Sequence, residues 1–214
     1  MQEEMHMLPR TAVIEAKKRM EGHRCEGFLD GPNPVNPVVM MIGEAPGETE
    51  ITGGGPYDGR AGKQFLSYLE LLPYSVEDIY VTRTIKSRPY RWGTTPSGTP
   101  RKYNRTPNQK EIMAHAPLLD EEIRTAAPKI LCPMGRTPYW RLLGRSPRMP
   151  DTAGVNFTSP VRQVSASGKE YIWSQEHYLI FPLYHPAASL YNRSLEAVIR
   201  KHFCSLARLL SALS

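Results

Sequence analysis

Val38-Val39-Met40-Met41-Ile42-Gly43-Glu44-Ala45-Pro46-Gly47 is the stretch that decides the fold. An unbroken apolar run from Val38 to Ile42 reads as a strand buried on both faces, the kind found in parallel sheets. The run stops at Gly43, and Pro46 with Gly47 imposes a sharp turn. Glu44 therefore stands just past the carboxyl end of a strand, where open α/β sheets bind ligands. A carboxylate there can orient a water or offset a developing cation. It can equally cap the amides of its own turn, and the local residues leave both roles open.

Outward from that run the pattern repeats. Ile79–Thr82, Lys129–Met134 and Tyr178–Leu183 are further short apolar strands. Helical segments separate them: Thr11–Met20 precedes the first strand, and Lys63–Leu72, Pro107–Ala126, Thr137–Leu143 and Leu195–Leu213 follow. Thr106 is the candidate N-cap of the third of these helices, with Pro107 at its first position and Glu111 near its positive end. Gly31–Pro37 reads as turn punctuation. The Pro-, Ser- and Gly-rich stretch Gly144–Gly168 is expected to be irregular or to hold a hairpin. Strands alternating with helices predict a three-layer α/β/α sandwich around a central, mainly parallel four-stranded sheet, in one domain spanning residues 1–214. There is no internal repeat.

The 214 residues are 40% apolar and 22% charged, as in an ordinary soluble globule. Met1–Arg10 carries Glu3, Glu4 and His6 without an apolar core, so no secretory signal is read there. No stretch approaches the roughly 20 apolar residues of a membrane helix. A cytoplasmic monomer without membrane contact is the expectation. The three cysteines, Cys25, Cys132 and Cys204, form no CxxC pair, which argues against a disulfide framework or a zinc site. Cys132 and Cys204 read as core thiols.

The net charge of +6 matters through its distribution. Ile79–Lys110 contains no acid, yet holds Arg83, Lys86, Arg88, Arg91, Arg101, Lys102, Arg105 and Lys110. Tyr80, Tyr90, Trp92 and Tyr103 are interleaved with them. Cations neutralise phosphates and aromatic faces stack on unpaired bases. A nucleic-acid strand is the favoured partner, with a merely solvated charge run as the alternative.

A second motif, His185-Pro186-Ala187-Ala188-Ser189-Leu190, follows the Tyr178–Leu183 run and puts an imidazole at the same sheet edge. A histidine that only caps a helix is the plainer reading. The glycine-rich stretch Gly53–Gly62 suggests close backbone approach to a ligand, with Tyr57 held on a rigid turn.

In this order and spacing the motifs resemble those of the uracil-DNA glycosylase superfamily, most closely its family 4 branch. The likeness includes Thr82-Arg83, Lys86-Ser87-Arg88-Pro89, Asn104-Arg105-Thr106-Pro107 and Gly135-Arg136-Thr137, and covers most of the chain from about Val38 onward. It implies a DNA base-excision glycosylase that hydrolyses an N-glycosidic bond after base flipping. By the resemblance, Glu44 positions water or offsets the sugar cation, and His185 donates to the base oxygen. Gly43, Ala45, Tyr57, Arg83 and Asn104 fall at base-binding positions, with Tyr57 as the stacking aromatic. Asn104 replaces a histidine of the DNA-crosslinking relatives, so no covalent adduct is expected. Lys86, Arg88, Arg91, Arg101, Lys102, Arg105, Ser189 and Arg193 are the candidate DNA contacts, and Leu190 is the candidate wedge.

Two departures stand out. Family 4 members hold an iron–sulfur cluster with four cysteines. This chain has Ser87 and His115 at two of those positions and only Cys25, with Phe28, near the N-terminus. No cluster, metal or other cofactor is expected. Second, Arg83 stands where an asparagine usually reads the uracil edge. A guanidinium only donates, so the uracil N3–H lacks an acceptor unless a backbone carbonyl supplies one. Either Arg83 turns outward to a phosphate, or the cavity accepts another deaminated base, or catalysis is lost and a DNA-binding protein remains. A nucleotide hydrolase using the glycine-rich turn for phosphate is the weakest rival, since the turn lacks the Lys-Ser/Thr ending of a P-loop.

Overall fold

The computed structural model describes residues 5–31, 33–53 and 57–213. Glu3, Glu4, Pro32, Gly54, Gly55 and Pro56, all invoked above, lie outside them. Val39–Gly43 is an inner strand of the sheet, with Tyr80–Arg83 parallel on one side and Ile130–Pro133, the central strand, parallel on the other. Tyr178–Ile180 joins in parallel beyond Ile130–Pro133. These are the expected strands. A further strand, Phe157–Ser159, runs antiparallel along Tyr178–Ile180 and covers that edge, so the sheet has five strands rather than four. It comes from the stretch read as irregular or hairpin-bearing, and three residues are too few to show a period. A hairpin follows it, Arg162–Val164 against Tyr171–Trp173.

Every residue of Val39–Gly43 is buried. Val39 and Met41 pack with Phe65, Tyr68 and Leu69 of helix Arg60–Leu69 and with Ile199, Phe203, Leu206 and Leu210 of helix Leu195–Leu213. Met40 and Ile42 pack on the opposite face, against Leu119 and Ile123 of helix Gln109–Ala126 and Tyr139, Leu142 and Leu143 of helix Arg136–Leu143. A continuous apolar run with both faces used is what a sheet between two helical layers requires. This is the expected three-layer sandwich. Among the described residues, no helix is long and apolar enough to cross a membrane.

Three expectations are corrected. The long helix starts at Gln109, because Asn108 and not Thr106 caps it: the Asn108 side chain accepts from Glu111 N at 3.0 Å and Glu111 returns the bond to Asn108 N at 2.9 Å. That leaves Thr106 free to face the site. Cys132 is buried as expected, but Cys204 is exposed. Phe203 already takes the buried position on helix Leu195–Leu213, and the next residue lies about 100° round the axis. The basic stretch after the Ile79–Thr82 strand, expected as a long loop, is instead a hairpin of Arg88–Thr94 and Pro100–Asn104, edged by Cys25–Glu26.

Candidate functional site

A cavity of about 690 Å³ opens at the carboxyl edge of the sheet. It lies where the strand order reverses, with Val39–Gly43 between Tyr80–Arg83 and Ile130–Pro133. Gly43, Glu44, Ala45, Tyr57, Arg83, Asn104 and His185 all line it. The two turns singled out in the sequence therefore meet in one place.

Glu44 is fixed by its backbone first. Thr84 N–H donates to the Gly43 carbonyl at 2.8 Å and Ile85 N–H to the Glu44 carbonyl at 3.2 Å, tying the turn to the end of Tyr80–Arg83. Its carboxylate Oε2 accepts from the Thr137 hydroxyl at 2.5 Å. Burial raises the Glu44 pKa above the ordinary glutamate value, and the Thr137 and Thr106 hydroxyls oppose the rise. A poorly hydrated carboxylate gains more than a solvated one when positive charge develops beside it.

His185 is held in a defined tautomer. Its Nδ1 accepts from Ala187 N–H at 3.2 Å, which leaves the proton of the neutral ring on Nε2. Burial lowers the His185 pKa, Glu50 opposes this and Arg83 adds to it. The ring is thus a neutral donor at pH 7. Gly135 lies against it with φ +96°, and a Cβ there would sit 3.2 Å from His185 Cβ. Both conformation and space call for glycine at 135.

Tyr57 has φ +81°, a left-handed conformation that a bulky residue adopts only when its surroundings impose it. Its ring lies 5.8 Å from that of Phe65. A Cβ on Gly62 would come within 2.2 Å of the Tyr57 backbone, so the helix start and the Tyr57 turn fit only around glycine. Arg83 points into the cavity, where its guanidinium donates to Glu50 Oε1. Asn104 has its carbonyl oxygen committed to Arg88 Nε at 2.6 Å, leaving its NH₂ group to offer.

Several expected DNA contacts are placed elsewhere. Lys86 is buried against Glu122 at 2.6 Å, and Arg88 is buried against Glu26 at 2.6 Å. Lys102 also pairs with Glu26, and Arg105 is clamped on Glu111 at 2.6 and 2.7 Å. Acids from other segments neutralise these cations, so they do not present free charge to a strand. Ser189 is buried, accepting from Tyr68 Oη at 3.0 Å and donating to the Pro186 carbonyl at 3.1 Å. Leu190 is half-buried, whereas its neighbour Tyr191 is 91% exposed and lines the cavity. Arg91 and Arg193 are exposed, and Arg101 is exposed with a 3.1 Å contact to Glu48.

Sequence reasoning gave no role to Thr137, which donates to Glu44, or to Glu50, Tyr191, Arg60 and Arg136, which line the cavity. A signal existed for the last two: each arginine opens a helix directly after a glycine. Glu50 had none.

The corner where the resemblance would seat a cluster holds Cys25, Ser87, His115 and Phe28. The His115 ring stacks on Phe28 at 5.9 Å and its Nδ1 accepts from Lys86 N–H at 3.1 Å. Burial and the neighbouring Glu111 push the Cys25 thiol up to about 12. One protonated thiol, a hydroxyl, an engaged imidazole and a phenyl ring do not fit a group held by four thiolates.

Residues 31–209 match the family description "Uracil DNA glycosylase superfamily". A type-4 uracil-DNA glycosylase of Sulfurisphaera tokodaii is 33% identical over 194 residues, covering 89% of this chain and 78% of that protein. One from Saccharolobus solfataricus is 34% identical over 177 residues, covering 81% and 72%. Another, from Pyrobaculum aerophilum, is 28% identical over 167 residues, covering 76% and 73%. Together with a cavity of this make-up at the carboxyl edge of its sheet, a match over most of its length means that the chain belongs to the uracil-DNA glycosylase superfamily.

Proposed function

We propose that this protein hydrolyses the N-glycosidic bond of a deaminated base in DNA, uracil foremost, after the nucleotide is flipped into the cavity. When the C1′–N bond breaks, its electron pair leaves with the base and positive charge grows on the sugar. The Nε2–H of neutral His185 donates to the base carbonyl oxygen as negative charge collects there, a donor already in place before reaction. Ionised Glu44 offsets the sugar cation and orients the water whose oxygen bonds to C1′. The water gives its proton to Glu44 and from there to solvent, and the departing base takes a proton from solvent. Tyr57 stacks on the flipped base. Exposed Arg91, Arg101 and Arg193 and the cavity-lining Arg60 and Arg136 meet phosphates, and Tyr191 rather than Leu190 enters the gap left in the duplex.

The observation that supports this most is the meeting of Glu44 and His185 in one cavity with Tyr57. Alkali cleavage of oligonucleotides carrying uracil, hypoxanthine or xanthine tests it. The expected result is strand cleavage after incubation with the protein, and a large loss with Glu44→Gln. Salt-sensitive DNA binding with no base released, and no effect of Glu44→Gln, would establish instead a non-catalytic DNA-binding protein.

A further inference from the structure

Arg83 left an unsolved problem in the sequence: the cavity gained a donor where a base edge needs both a donor and an acceptor. The structure supplies the acceptor from a different element. Glu50, in the short helix Glu48–Ile51, reaches Arg83 with Oε1, and both side chains line the cavity at 16% and 14% exposure. The carboxylate is anchored from behind, because its Oε2 accepts from Gly47 N–H at 2.8 Å. Oε1 also receives Tyr57 N–H at 3.5 Å, a long contact that leaves it accepting capacity. Among the described residues Glu50 is the hydrogen-bond partner of Arg83, so most of the guanidinium N–H groups remain to be used.

We propose that Arg83 and Glu50 act as one reader of the flipped base, Glu50 accepting the ring N–H and Arg83 donating to the adjacent carbonyl. This rests on the glycosylase reading above and deepens it by naming the substrate class. That class is bases with a ring N–H beside a C=O, namely uracil, thymine, guanine, hypoxanthine and xanthine, as against cytosine and adenine. Cytosine presents a bare ring nitrogen to Glu50 and an amino group to Arg83, two mismatches at once. The pair replaces a neutral amide while leaving neither of its own two charges unpaired.

The test is binding in a Glu44→Gln background, which is expected to hold the base without releasing it. Fluorescence anisotropy compares oligonucleotides bearing deoxyuridine, N3-methyl-deoxyuridine and 4-thio-deoxyuridine. Deoxyuridine should bind about tenfold or more tighter than the N3-methyl analogue. Adding Glu50→Gln should remove most of that preference, because Gly47 N–H takes the amide oxygen and turns the NH₂ toward the base. Arg83→Met, which leaves the Gly47 anchor intact, should keep the N3 preference and lose the preference for oxygen over sulfur at position 4. Full N3 discrimination surviving in a folded Glu50→Gln protein overturns the proposal, as does an unchanged sulfur penalty in Arg83→Met. If discrimination depends on both residues while the native chain releases no base, the edge reading stands and the enzymatic reading falls. If uracil is released but neither residue affects discrimination, the reverse holds.

Discussion

Lys86→Met keeps the aliphatic stem of a side chain that is 4% exposed and removes only its ammonium. In the folded protein that ammonium donates to Glu122 Oε1 at 2.6 Å and to the Thr82 hydroxyl. Without it, Glu122 is a buried carboxylate left with neutral hydroxyl donors alone, those of Thr82 and Tyr80. Breaking one side of a buried pair costs about 3–5 kcal/mol, a large share of the stability of a domain this size. With a urea dependence of about 2 kcal/mol per molar, the unfolding midpoint should fall by roughly 2 M. Lys86→Met combined with Glu122→Leu should recover part of the loss, since no charge is then stranded. DNA affinity supplies the contrast. A buried lysine neutralises no phosphate, so the slope of log affinity against log salt should not change in Lys86→Met, whereas exposed Arg91→Ala should reduce it by about 0.7–0.9. A Lys86→Met protein of undiminished stability whose salt slope falls by that amount would refute the argument from burial.

Base release should be lost on acidification through a pH above the ordinary glutamate value, because Glu44 acts ionised and burial raises its pKa. The Thr137 hydroxyl holds that pKa down, so Thr137→Val should move the acid limb of kcat upward; a limb that stays put removes Glu44 as the titrating group. Burial, then Lys86 and Arg19, push His115 down to about 3 from 6.5. The unfolded chain therefore binds the extra proton below pH 6.5, and stability should fall by about 1.4 kcal/mol per pH unit between pH 6 and 4.5. Urea midpoints across that window should flatten in His115→Leu, and an unaltered slope would assign the loss to another group. Gly135→Ala places a methyl against His185 at a positive φ, so kcat should drop about tenfold or more, with a stability loss of at least about 1 kcal/mol. An active Gly135→Ala enzyme would mean that the His185 ring is not positioned by that contact.

The parallel strands and the intervening helices were legible because each is a continuous apolar run or a helical stripe several turns long. Leu195–Leu213 even keeps its expected bounds. Phe157–Ser159 was not, since it is held by its partner strand rather than by any pattern of its own. At the cavity the same division applies. Glu44, Tyr57 and His185 follow glycines, prolines or strand ends whose turn chemistry is visible along the chain. Glu50 and Tyr191 sit in helices of four residues with no such marker, and only the folded arrangement brings them to the cavity. Asn108 won the helix cap over Thr106 through a reciprocal bond with Glu111 that spacing alone offers to several candidates.

The basic stretch shows where counting charge along a chain stops being informative. Its acids are absent locally but supplied from elsewhere: Glu26 from before it, and Glu111 and Glu122 from the helix after it. Arg83 is the consequential case. Paired with Glu50, it gives the cavity no unpaired guanidinium, so a neutral base can enter without stripping water from an isolated cation. The negative charge of the departing base then falls to His185, whose Nε2–H is a neutral donor. An arginine at this position, read alone, argues for DNA binding over catalysis; compensated by a carboxylate, it is compatible with recognising an uncharged ring. The Glu50 partnership therefore decides how Arg83 is to be understood.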